Sequence, residues 1–187
     1  MVIQSKVIEN EKLRYILRCP EQKDAEELSK LRVKIDGQTE NLDREPGEGV
    51  LTKEDFEKLI DDDNAAERTL FLVVEADGKI VGFTRCEGNK LSRFRHKAEF
   101  GICIEKEYWG YGIGKVLLEN VVAWADNVGL KKISLNVVET NTKAVNLYKK
   151  YGFVEEGILR NDRFHKDGKY YNTIIMGRFL EEDKKYI

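Results

Sequence analysis

Ala98-Glu99-Phe100-Gly101-Ile102-Cys103-Ile104, followed shortly by Tyr108-Trp109-Gly110-Tyr111-Gly112-Ile113-Gly114, decides how this chain folds. The first segment reads as a buried strand, with Phe100, Ile102 and Ile104 on one face and Glu99, Gly101 and Cys103 on the other. After the glycines, Val116, Leu117, Val121, Trp124, Ala125 and Val128 recur at helical period, so a helix is expected over 112–128 with Gly129 as its C′ residue. The order is strand, glycine turn, helix. Glycines at a spacing of two let the backbone curl with its N–H groups inward, and the helix that follows adds the positive end of its dipole. Such a turn is a socket for phosphate oxygens.

The nucleotide-binding versions of this turn do not fit. A P-loop follows its last glycine with Lys and a hydroxyl, whereas this chain has Gly114-Lys115-Val116. A dinucleotide fingerprint needs Gly-x-Gly-x-x-Gly, and the spacing here is Gly-x-Gly-x-Gly. A second block lies one strand downstream: Asn141-Thr142-Lys143-Ala144-Val145-Asn146-Leu147-Tyr148-Lys149-Lys150-Tyr151-Gly152-Phe153, a capped helix ended by glycine.

Together the two blocks resemble the GCN5-related N-acetyltransferases (GNAT). That family's phosphate motif is Gln/Arg-x-x-Gly-x-Gly/Ala, here with Trp109 in the Gln/Arg place, and its later segment is Asn-x-x-Ala-x-x-Leu-Tyr-x-x-x-Gly-Phe. The resemblance covers residues 70 to 180 well and the first 68 in outline. It implies an α/β (α+β) fold in one domain over 1–187, a mixed, mostly antiparallel sheet of roughly six to seven strands flanked by about four helices, with splayed central strands. Acetyl-CoA is the implied cosubstrate, and no metal is implied.

Composition sets outer bounds. The 187 residues are 41% hydrophobic with two prolines, enough for one domain with a full core. Lys plus Arg number 32 against 34 Asp plus Glu, so no basic field argues for nucleic acid and no polybasic run for a membrane. Met1 to Lys12 lacks an apolar leader segment, and a cytoplasmic location is expected. Cys19, Cys86 and Cys103 are odd in number and far apart, which suits a reducing compartment, and neither they nor the two histidines have metal-site spacing. A homodimer is compatible with this reading.

The remaining elements follow from local signals. A first strand is expected at 13–18, ended by Pro20, then a helix from Glu21 to Lys34. A polar loop over 35–50 leads to a Thr52-Lys53-Glu54-Asp55 capping box. In the family such a loop builds the acceptor-substrate wall. Strands at 70–75 and 80–87 meet at Asp77-Gly78, a hairpin signal, and a final hairpin is expected across Asp167-Gly168. Ile133 to Val138 alternates as a strand.

Acyl transfer from a thioester to an amine needs a neutral amine, a placed carbonyl, donors for the developing oxyanion and a proton for the leaving thiolate. By resemblance, Tyr148 is the general acid and Glu99, in a segment similar to the family's Ala-Glu-x-x-x-Cys, the base; His96 is the other basic group nearby. A backbone N–H near Cys103 or Ile104 would face the oxyanion. The resemblance assigns cofactor contacts to Cys103, Ile104, Trp109, Gly110, Tyr111, Gly112, Ile113, Gly114, Lys115, Asn136, Asn141, Ala144 and Tyr148. Cys103 also opens a covalent acetyl-cysteine route, but a cysteine on a buried strand is usually inert, so direct transfer is expected. A small-molecule amine is the expected acceptor, first a free α-amino acid. Protein N-termini are the second choice, with an open groove beside residues 35–50 as their mark. A non-catalytic acyl-CoA-binding module is the reading from another class.

Overall fold

The computed structural model describes residues 3–180. Its strands are β1 Lys6–Glu9, β2 Arg14–Arg18, β3 Leu70–Ala76, β4 Lys79–Gly88, β5 Lys97–Ile104, β6 Lys132–Val138, β7 Val154–Phe164 and β8 Tyr170–Phe179. They form one sheet in the order β1-β2-β3-β4-β5-β6-β8-β7. Only β5 and β6 run parallel; all other neighbours are antiparallel. The helices are α1 Ala25–Asp36, α2 Lys53–Ala65, α3 Ile113–Asn127 and α4 Thr142–Lys150.

The sheet is covered on both faces, and β3 shows why its sequence is apolar throughout. Leu70, Leu72 and Val74 join the core under α3 and α4, with Leu117, Val121 and Tyr148. Phe71 and Val73 join a second core under α1 and α2, with Leu28, Ile35, Phe56 and Ile60. A strand buried on both sides loses the polar half of its alternation. The expected Asp77-Gly78 hairpin is present, with φ of +51° and +74° at the two turn residues.

The sequence reading differs from the structure at two places. The sheet has eight strands among the described residues, because β1 also pairs with β2. Its Lys-Val-Ile-Glu stretch is mostly exposed and carries no alternation to announce it. The first helix does not start at Glu21: a 3₁₀ turn at Gln22–Asp24 precedes α1. There the buried Asp24 carboxylate accepts from Arg18 Nη1 (2.6 Å), Arg18 Nη2 (2.9 Å) and the Glu21 N–H (2.7 Å), which holds the chain in a tighter entry. The expected final hairpin is present as β7 and β8, with register shifts between Glu155 and Gly157 and between Leu159 and Arg163 and with Asn161 at φ +50°.

The feature that positions the site is an interrupted pairing. β5 and β6 pair only at Lys97↔Lys132, Ala98↔Ile133 and Glu99↔Ser134, although both strands continue for several residues in contact with their other neighbours. Beyond Glu99 and Ser134 they splay, leaving a slit through the middle of the sheet.

Candidate active site

The glycine turn lies at one mouth of this slit. Gly110 and Gly112 adopt φ of +86° and +82°, and a side-chain Cβ at either would meet no protein atom within 4 Å. α3 begins immediately after with no side-chain cap, so its first N–H groups are open. Left-handed glycines, empty space above them and an uncapped helix start fit a pyrophosphate. Gly114 seats the helix against β5, its Cβ position 3.5 Å from Ile104 Cδ1. Trp109 is 43% exposed and lines the cleft, while its Nε1–H donates to the Ile104 carbonyl at 2.8 Å and ties the turn to the strand end. Lys115 lines the cleft and lies 3.7 Å from Glu119. Tyr111 stands apart from the cleft: its ring rests on Tyr108 with centroids 6.3 Å apart, and its carbonyl accepts from Asn10 Nδ2.

Strand geometry decides which backbone groups of β5 face the slit. The Asn89 N–H reaches the Lys97 carbonyl and the Glu105 N–H donates to the Val81 carbonyl at 2.9 Å, so the odd-numbered residues turn their backbone toward β4. Ile102 and Ile104 turn theirs the other way, to the edge β6 has left. Of the two positions expected near the oxyanion, the Cys103 N–H belongs to the β4 ladder and the Ile104 N–H faces the gap.

Across the slit stand β6 and α4. Asn136 is exposed on β6 and lines the cleft with Asn141, Ala144 and Tyr148. Asn141 caps α4, its Oδ1 accepting from the Ala144 N–H at 3.3 Å. Asn141→Ala is therefore expected to lower stability by about 1 kcal/mol, read as an earlier thermal midpoint. Tyr148 is held edge-on to Phe100 (5.9 Å) and against Phe153 (5.8 Å) and lines the cleft. Burial pushes its phenol up to about 12, so it is neutral and able to donate at any physiological pH.

The cleft, about 1080 Å³, passes through the slit to the α1/α2 face. There it is lined by Glu99, Gly101 and Cys103 of β5, by Arg32, by Leu42, Asp43 and Leu51 from the loop before α2, and by Arg163 of β7. Glu99 is exposed to the cleft, whereas His96 is on the turn outside it. The Cys103 thiol is buried, and desolvation pushes it up to about 11 despite Arg32 beside it. Arg163 donates to the Leu42 carbonyl (3.0 Å) and to Asp43, so the hairpin tip clasps the 37–50 loop. Asp43 belongs to the 35–50 loop expected to wall the acceptor side, whereas Arg32 and Arg163 were not among the residues expected from the sequence. Arg32 alone left a trace, as a cation four residues after Leu28 on the apolar stripe of α1.

Known proteins match this architecture. The profile of the Acetyltransferase (GNAT) family matches residues 37–153. The L-amino acid N-acetyltransferase AaaT of Escherichia coli (strain K12) is 32% identical over 108 residues, 57% of this chain and 66% of that enzyme, so just under two thirds of its length is spanned. The spermidine N(1)-acetyltransferase of the same strain is 34% identical over 140 residues, 74% of this chain and 72% of its own. The crystal structure of an acetyltransferase of the GNAT family from Streptococcus pneumoniae superposes with a TM-score of 0.85 at 30% identity, covering 89% of this chain and 99% of that one. With its splayed sheet, its glycine turn and these relatives, the chain belongs to the GNAT family of acetyltransferases, whose acyl donor is acetyl-CoA.

Proposed function

We propose that this protein moves an acetyl group from acetyl-CoA directly to the primary amine of a small molecule, a free α-amino acid first among them. The observation that carries this reading is the slit, which joins a phosphate-binding turn on one face of the sheet to a walled pocket on the other. Bound acetyl-CoA supplies an electrophilic thioester carbonyl. The N–H groups of Ile113 and Gly114 and the turn around Gly110 and Gly112 receive its pyrophosphate, and the open edges of β5 and β6 receive its extended arm as an added strand would be received. Glu99 takes the proton of the attacking amine, directly or through one water. The Ile104 N–H faces the carbonyl oxygen as negative charge develops there. As the C–N bond forms and the C–S bond breaks, the Tyr148 phenol, neutral at physiological pH, gives its proton to the departing sulfur and regains one from solvent.

A protein N-terminus as acceptor calls for an open groove beside residues 35–50. The Arg163–Asp43 and Lys166–Glu45 (2.8 Å) ion pairs tie the hairpin to that loop, and a pocket of about 460 Å³ lies between the two, lined by Asp43, Arg44, Glu48, Phe164 and His165, so the preference for a small acceptor rests on the slit and not on closure of this side. The high thiol of Cys103 favours direct transfer over an acetyl-cysteine, and Cys103→Ala is expected to keep kcat within about threefold, measured by steady-state thiol release. The test of the whole reading is thiol release from acetyl-CoA against free amino acids, polyamines and N-terminal ribosomal peptides, with mass detection of the product. Release with an amino acid supports it; acetyl-CoA binding with no release from any acceptor points to a non-catalytic module.

A further inference from the structure

On the α1/α2 face of β5, Glu99, Gly101 and Cys103 alternate, and the middle position has no side chain. A Cβ at Gly101 would meet nothing within 4 Å, and its backbone is ordinary strand. Gly101 therefore leaves a hollow in the floor of the cleft between Glu99 on one side and Cys103 with Arg32 on the other.

The charges around this hollow are unevenly satisfied. Glu87 is paired with Arg85 (2.6 Å), and Asp43 is held by Arg163. Arg85 is further engaged through Nε and Nη2 by Asp63. Elsewhere in the molecule, Arg18 and Arg178 each present both Nη groups to a carboxylate, on Asp24 and Asp126. Arg32 does not. Both Asp36 oxygens lie on its Nε, each at 3.0 Å, and its Nη1 meets only the weak acceptor Cys103 Sγ at 3.5 Å. Among the described residues no carboxylate occupies the outer fork of Arg32, although that side chain is only 18% exposed and lines the cleft. Asp36 and Asp43 are the acids that face it, and each already has a partner. Glu99, at the other end of the hollow, has no cation partner among the described residues. What remains is one unfilled fork and one unpaired carboxylate. Leu51, Phe56, Leu59 and Phe83 add apolar lining to the same cleft.

We propose that the acceptor is a zwitterionic amino acid with an apolar side chain, its carboxylate gripped by the outer fork of Arg32 and its amine directed to Glu99 across the hollow over Gly101. This rests on the acetyl-transfer reading above. A guanidinium fork is the side chain best matched to a carboxylate, and a half-filled one beside an apolar wall recognises that group and not a second amine. A polyamine would instead bring positive charge to Arg32.

The test compares phenylalanine with phenethylamine, the same molecule without its carboxylate, and with spermidine, in the full chain saturated with acetyl-CoA. Wild type is expected to favour phenylalanine by about 100-fold in kcat/KM, the worth of a charge-assisted pair. In Arg32→Gln that preference collapses to within about threefold through the KM for phenylalanine, and Arg32→Lys restores part of it. Arg32 also neutralises the buried Asp36, so a second variant keeps the test sharp if the first does not fold. A Cβ at Gly101 meets no protein atom within 4 Å, so Gly101→Leu is expected to melt close to wild type, while raising the KM for phenylalanine at least about tenfold and that for glycine far less. Equal use of phenethylamine or spermidine by wild type overturns the proposal and leaves acetyl transfer standing. Equal losses for both acceptors in Arg32→Gln overturn it too. No thiol release with any amine would take down the transfer reading itself.

Discussion

Tyr148→Phe is expected to lower kcat by about 10²- to 10³-fold while leaving the KM for acetyl-CoA within about threefold, because the change removes a proton donor and little else. The ring stays in its seat against Phe100 and Phe153, so packing is preserved. Stopped-flow thiol release separates the chemical step from product release and is the measurement of choice. A turnover number within a factor of two of wild type would remove Tyr148 from the role of acid. The pH dependence adds an independent check. The phenol is raised from its ordinary value near 10 to about 12, so the fold favours its protonated form. The stability tied to that preference is intact below pH 10 and is lost as pH rises from 10 to 12, with a slope of about 1.4 kcal/mol per pH unit for one group. Denaturant unfolding at pH 9 and pH 11 should show the slope in wild type and a shallower one in Tyr148→Phe.

Gly112→Val is expected to raise the Kd for acetyl-CoA by about 100-fold or more and to lower Tm by several degrees. Two effects separate cleanly. The left-handed φ of +82° disfavours any L side chain, and a β-branched one most, by about 1–2 kcal/mol, or about 2–8 °C for a chain of this size. The binding loss has another cause: the new side chain enters the empty space over the turn, where phosphate oxygens must reach the backbone N–H groups. Gly78→Val is the control, since Gly78 is also left-handed, at +74°, in the β3–β4 turn. It should show a comparable drop in Tm with unchanged acetyl-CoA binding by calorimetry. Similar binding losses in both variants would assign the effect to general destabilisation.

These two residues were legible because each sits in a contiguous motif whose physics is local. The same holds for the β3–β4 hairpin and for the start of α2, where Thr52 Oγ1 accepts from the Asp55 N–H and Asp55 Oδ2 accepts from the Thr52 N–H in return. The acceptor half of the cleft was legible only as the 35–50 loop and Glu99, through the family resemblance. Arg32, Asp43 and Arg163 come from a helix, a loop and a hairpin joined only by the folded sheet, and no sequence spacing links them. β1 was missed for a different reason, since a four-residue, mostly exposed edge strand carries no hydrophobic rhythm. For an oxyanion donor the sequence offers a pair of neighbours, Cys103 or Ile104, and only the register with β4 tells which N–H faces the gap, because adjacent residues of a strand direct their N–H groups to opposite sides.

The slit between β5 and β6 also bears on traffic. Its two mouths open on opposite faces of the sheet, one beside Gly110 and Gly112 and the other beside Arg32 and Arg163. Donor and acceptor would then arrive through separate doors and meet only at the centre, so neither has to wait for the other to enter or to leave. A sheet parted in this way permits both substrates to be aboard at once, in either order, and lets the acetylated product depart while the spent thiol is still bound.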